Sequence, residues 1–159
     1  MLVKDAHIIR IIERIGEHYR TNISNRFIRP ALLQLPMEKQ AWDMIEVLTE
    51  KVEQYRYQGF QLDELYRQIV ASARFVSIAR RDLVPTLRNR LSGGSTGPDK
   101  VLRDMAVNNF GSNLQVFADL VNELYVGLVE LDKSGSKGRR PLYMAMPELQ
   151  DIGRLLIGN

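Results

Sequence analysis

The polar side chains of this chain that could do chemistry are few, and their spacing rules out most of it. His7 and His18 are the two histidines. Eleven residues make three helical turns, about 16 Å, so one helix cannot bring both to one metal ion. Either could serve as a general base, yet no nucleophile can be paired with it from the sequence. Asp43, Glu46, Glu50 and Glu53 place four carboxylates on one helical face, the raw material for acid–base work or a di-metal centre. Di-metal bundles also need Glu-x-x-His motifs facing inward, and the chain contains none. These carboxylates lie away from the apolar stripe of their own segment and read as a solvated face. Without cysteine, disulfides, thiolate zinc sites and cysteine nucleophiles are excluded. No catalytic residue, metal site or cofactor is therefore expected.

The basic residues offer more. Arg67, Arg74, Arg81 and Arg88 stand seven residues apart, nearly two helical turns, and would form one slowly drifting row. Val70 and Ile78 accompany the row, and Phe75 lies on another side of the same helix. Its core stripe is Leu62, Leu65, Ile69, Ala73, Val76, Leu83 and Leu87. A helix apolar all round is expected to be buried all round, and weakly hydrated guanidiniums among apolar side chains are typical of protein interfaces. Arg67, Val70, Arg74, Phe75, Ile78 and Arg81 are accordingly the expected contact face, most simply in a homodimer, otherwise with another protein.

Arg80 falls inside the core stripe, where it must meet a carboxylate, reach out past its stem or line a pocket for an anion. Arg80 and Arg88, with Lys133, Lys137, Arg139 and Arg140 of the basic stretch DKSGSKGRRP, form the candidate anion-binding set. That stretch lacks the G-x-x-x-x-G-K-[ST] pattern, and no strand precedes it. Arginines about 10 Å apart could also follow a phosphate backbone. Nucleic acid or another polyanion is thus the alternative partner. Against it stand a net charge of only +3 and the lack of a helix-turn-helix, zinc or RNP-like motif. A small anionic ligand held inside a helical bundle near Arg80 is the third reading.

The elements that must position these residues read as helices. At 159 residues, 45% apolar and 26% charged, the chain suits one globular domain over 1–159. It has no apolar run near the ~20 residues of a membrane span and no secretory h-region at its start, so a cytoplasmic protein free of membrane is expected. Residues 5–20 are amphipathic, with Ile8, Ile12, Ile15 and Tyr19 on one face. A second helix runs from Pro36 toward Gly59 on Trp42, Ile45, Leu48, Val52 and Tyr55. A third opens near Leu62–Asp63 and continues toward Leu91, bent or ended at Pro85, before the loop SGGSTGP. A fourth follows Pro98. Its Phe110, Leu114, Phe117, Val121, Leu124, Leu128 and Leu131 form a heptad seam, with Gly111 a possible break. After a loop over 132–141, a short helix from Pro147 docks through Leu149, Ile152 and Leu156. Strand signals are weak throughout.

The expectation is an all-α fold: an up-down-up-down bundle of four main helices with a short C-terminal docking helix. Segments 1–30, 36–58, 61–91 and 98–131 carry six, three, six and two basic residues against three, five, three and five acids. Their net charges alternate as +3, −2, +3 and −3, so neighbours in that topology would be opposite in sign. The leading functional expectation is a non-catalytic helical interaction module that self-associates.

Overall fold

The computed structural model describes residues 1–24, 28, 58–85, 87 and 98–157. The expected helix over 36–58 with its four carboxylates, Arg88 and the turn over 92–97 lie outside these residues. With them lies any test of the up-down-up-down order. Apart from one pair of two-residue strands, the regular structure described is helical, and the fold class is all-α.

Helix α1 (Ala6–His18) starts where Asp5, in extended backbone, accepts the N–H groups of His7 and Ile8 at 2.9 and 3.1 Å. This side-chain cap satisfies two donors that the helix itself cannot. Ile8, Ile11, Ile12 and Ile15 are buried on one face, while Arg10, Arg14 and Glu17 are exposed. α1 runs into a π-helical turn, Tyr19–Ile23, in which the Ser24 N–H donates to the Tyr19 carbonyl at 2.8 Å.

Strand β1 (Leu2–Val3) pairs antiparallel with β2 (Phe60–Gln61), Leu2 opposite Gln61 and Val3 opposite Phe60. Two residues are too few to leave an alternation in the sequence. The pair has a use at the start of α2 (Leu62–Ile78). Gln61 gives no side-chain cap, and the Met1 carbonyl instead accepts the Leu62 N–H at 3.1 Å. Asp63 and Glu64 in the first turn suit the positive end of the helix dipole. The chain enters β2 through Gly59 at φ 85°, where an added Cβ would stand 2.8 Å from Lys4 Cγ. Conformation and space both call for glycine there.

α2 continues as a second π-helical turn, Ala79–Leu83, closed by the Val84 N–H on the Ala79 carbonyl. Pro85 follows at once. Proline lacks the donor and crowds the carbonyl four residues back, here that of Arg81. The wider turn sits where the crowding falls, and Val84 and Pro85 remain helical. Pro85 therefore does not end the helix. Gly111 does not break the next one either: α3 (Pro98–Gly135) runs through it without interruption. Two 3-10 turns, Leu142–Ala145 and Pro147–Asp151, lead into α4 (Ile152–Ile157).

The core is centred on three aromatic rings, Tyr19, Phe75 and Phe117. Their centroids lie 6.2, 6.0 and 6.1 Å apart, two of the three pairs edge-to-face. One ring comes from each of the α1 extension, α2 and α3, and such pairs contribute ~0.5–1.5 kcal/mol beyond their area. The heptad seam of α3 is buried from Phe110 to Leu128, and Leu149, Ile152 and Leu156 dock as expected. Burial also corrects the expected contact face. Phe75 is fully enclosed, and Val70 is 8% exposed. The all-round apolar character of α2 is satisfied within this chain, which removes Phe75 from any surface.

Candidate interaction surface

Arg67, Arg74 and Arg81 all face solvent. Two of them are paired locally. Arg67 reaches Asp63 one turn back at 3.5 Å, and Arg81 holds the neighbouring Asp82 at 2.9 Å. The hydrogen bonds from Arg81 keep the Asp82 carboxyl below its usual range. Arg74 makes no ion pair among the described residues. Ile78, half-buried, is the apolar residue of the expected face that keeps contact with water. This face is a basic edge with little apolar area.

The candidate anion-binding residues that are described fall in two separate places. Arg80 donates from Nη1 to the Leu156 carbonyl and from Nη2 to Gln115 Oε1. Gln115 Nε2 in turn donates to Asp119 Oδ1 at 2.9 Å. Burial lowers the Arg80 pKa, and nearby Asp119 opposes that shift. Leu156 lies in the last turn of α4, whose carbonyls have no intrahelical donors. Arg80 thus ties α4 to α2 and α3. The basic stretch lies elsewhere: Gln115 and Lys133 are eighteen residues apart on one helix, about 27 Å.

That stretch is more ordered than a plain loop. α3 extends to Gly135. Lys137 and Gly138 follow at φ 47° and 85°, and the Arg139 N–H donates to the Ser136 carbonyl at 2.9 Å. Positive φ at both central positions is the mark of a type I′ turn. Lys133 Nζ sits 5.9 Å from the centre of the Tyr143 ring, and Arg140 Nη2 donates to the Met144 carbonyl at 2.9 Å.

Asp132 was expected in the loop and is instead 5% exposed. Its Oδ2 accepts the Tyr66 hydroxyl at 2.8 Å and the Tyr143 N–H at 2.9 Å, while Oδ1 accepts the Leu142 N–H at 3.0 Å. Burial and the adjacent carboxylate push the Tyr66 phenol far above its ordinary range. With these acceptors engaged, the cluster works as an anchor for the C-terminal segment. The sequence held one signal: Asp132 stands four residues after the buried Leu128, on the core side of α3.

His18 is likewise committed. Its Nε2 lies 2.8 Å from the Asn113 carbonyl, an acceptor, so Nε2 carries the proton. Nδ1 then accepts the Asn22 amide at 2.9 Å. These bonds fix the wall of an open groove of about 300 Å³ between α1 and α3. Arg14, Glu17, His18, Thr21 and Asn22 form one side, and Val116 and Leu120 the other. Arg14 also spans to Glu123 of α3 at 3.7 Å.

The groove opens onto the outer face of α3, which sequence reasoning passed over. Between Asp104 and Asp119 the helix contains no charged residue, a run of about 21 Å. Val101, Met105 and Val116 stand on its outward side at 59%, 54% and 46% exposure, with Asn108 and Ser112 exposed between them. The spacing of these five residues gives them one stripe opposite the buried seam. A heptad reading that stops at the core face leaves this second stripe unseen. No protein-family model matches the chain, and neither the curated proteins nor the solved structures give a match.

Proposed function

We propose that this chain is a non-catalytic helical interaction module that associates with a second copy of itself through the outer face of α3. The observation that carries this reading is the partly apolar stripe Val101, Met105, Ser112 and Val116 beside the groove, on a helix uncharged from Met105 to Ala118. Solvated helical faces carry charge and interface centres are depleted of it, so this face resembles a contact more than a solvated side. The basic edge of Arg67, Arg74 and Arg81 supports a second reading, an acidic or polyanionic partner, because Arg74 has no carboxylate partner among the described residues.

Sedimentation or light scattering over a concentration series tests the first reading. The mass should rise from monomer to dimer, and Val116→Glu should weaken the association at least tenfold by placing a carboxylate in the contact. A monomer up to millimolar concentration, for the wild type, overturns it. The second reading requires retention on heparin at low salt that Arg74→Glu abolishes.

A further inference from the structure

The outer stripe of α3 has an internal symmetry. Met105 and Val116 are equally far from a point between residues 110 and 111, one residue before the middle of the uncharged run, and so are Val101 and Leu120, the latter 7% exposed at the edge of the groove. An antiparallel copy of the same helix, turned about a two-fold axis beside residues 110–111, brings Met105 over Val116 and Val101 over Leu120. It does so twice, as an isologous contact requires. Ser112 and Asn108 occupy the middle, where a small side chain allows close approach and polar groups can pair to fix the register.

We infer that two copies dimerise through α3 in this antiparallel register, each seating Met105 in the α1–α3 groove of the other. This rests on the self-association proposed above and specifies its geometry. Two observations support the second copy as occupant. The α3 side of the groove is Val116 and Leu120, while its opposite side at His18 and Asn22 is held by hydrogen bonds. It is therefore a preformed seat for an unbranched, adaptable side chain such as methionine. Charge also selects the register. The second half of α3 is acidic at Asp119, Glu123 and Glu130, and registers that overlap these halves set like charges against each other. In the proposed register Glu123 faces residue 98, where α3 begins, so the carboxylate meets the positive end of the other helix dipole.

The contact is small. From residue 101 to residue 123 the helix extends about 33 Å. With the adjoining flank of α1, a strip roughly 20 Å wide gives about 660 Å² per partner, below the ~800 Å² of standard interfaces. A dissociation constant in the micromolar range is expected.

The cysteine-free chain allows a direct test with two single variants, Met105→Cys and Val116→Cys. Both positions are exposed, so folding is not at stake. In the proposed dimer, like cysteines stand eleven residues apart along antiparallel helices, about 16 Å, beyond disulfide reach. Unlike cysteines stand opposite each other. Under mild oxidation, at concentrations where the wild type sediments as a dimer, an equimolar mixture should form the mixed disulfide at least tenfold faster than either variant forms its own. A wild-type dimer without this preference overturns the register and leaves self-association standing. A wild type that stays monomeric to millimolar concentration overturns both.

Discussion

Asp132 and Tyr66 show how one buried carboxylate can hold a segment in place. Charge-assisted hydrogen bonds contribute ~1.5–3 kcal/mol each, and deleting the acceptor leaves buried donors unmade. Asp132→Ala should therefore destabilise the fold by about 3 kcal/mol in urea titrations. In hydrogen exchange it should free the amides of Leu142 and Tyr143 before the rest of the chain. The pair also sets a pH dependence. The Tyr66 phenol is held neutral in the fold, whereas in the unfolded chain it ionises near pH ~10. Unfolding thus releases a proton once the pH passes that value, and stability falls as pH rises further. Tyr66→Phe should reduce this alkaline loss to the share of Tyr125, whose phenol pKa burial also raises, measured as Tm between pH 9 and 11, at a cost below pH 9 of about 1–2 kcal/mol for the missing hydrogen bond.

The helices themselves were largely legible, because apolar periodicity is a direct imprint of burial. The α3 seam from Phe110 to Leu128, the isoleucines of α1 and the docking trio Leu149, Ile152 and Leu156 are buried as their spacing implies, while Leu131 at the seam's end is half-buried. What escaped has physical reasons. The β1–β2 pair is a backbone contact without a side-chain pattern. The π-helical turns leave no mark in the apolar spacing, even at Ala79–Leu83, where Pro85 follows at once. Phe75 was misplaced because an all-round apolar helix does not say whether its cover comes from its own chain or a partner. Of the expected sites, Arg67, Arg74 and Arg81 are exposed, while Arg80 is half-buried and finds its partners in a carbonyl and an amide rather than a carboxylate. Gly111 gives the test at this scale. It lies exposed within a continuous helix, with nothing within 4 Å of a built Cβ. Gly111→Ala should stabilise the protein by about 0.5–1 kcal/mol through reduced freedom of the unfolded chain, read as a higher urea midpoint at unchanged slope.

At the level of the whole molecule, two surfaces compete for meaning, and salt separates them. The basic edge of α2 can hold a polyanion through counterion release, which makes affinity fall steeply with salt. The outer face of α3 is uncharged along its middle, so its association depends on apolar and polar contacts with a small contribution from Asp119 and Glu123 toward the end of the contact. Surface electrostatics of that kind are screened within about 10 Å at 0.1 M salt. Raising salt from 50 to 500 mM should therefore change the dimer dissociation constant by no more than about threefold, while any heparin retention disappears. Arg74→Glu completes the separation. It reverses charge on the α2 edge without touching α3, so sedimentation should show an unchanged monomer–dimer equilibrium. If Arg74→Glu dissolves the dimer, the contact runs through the arginines after all, and the uncharged stripe of α3 is not its centre.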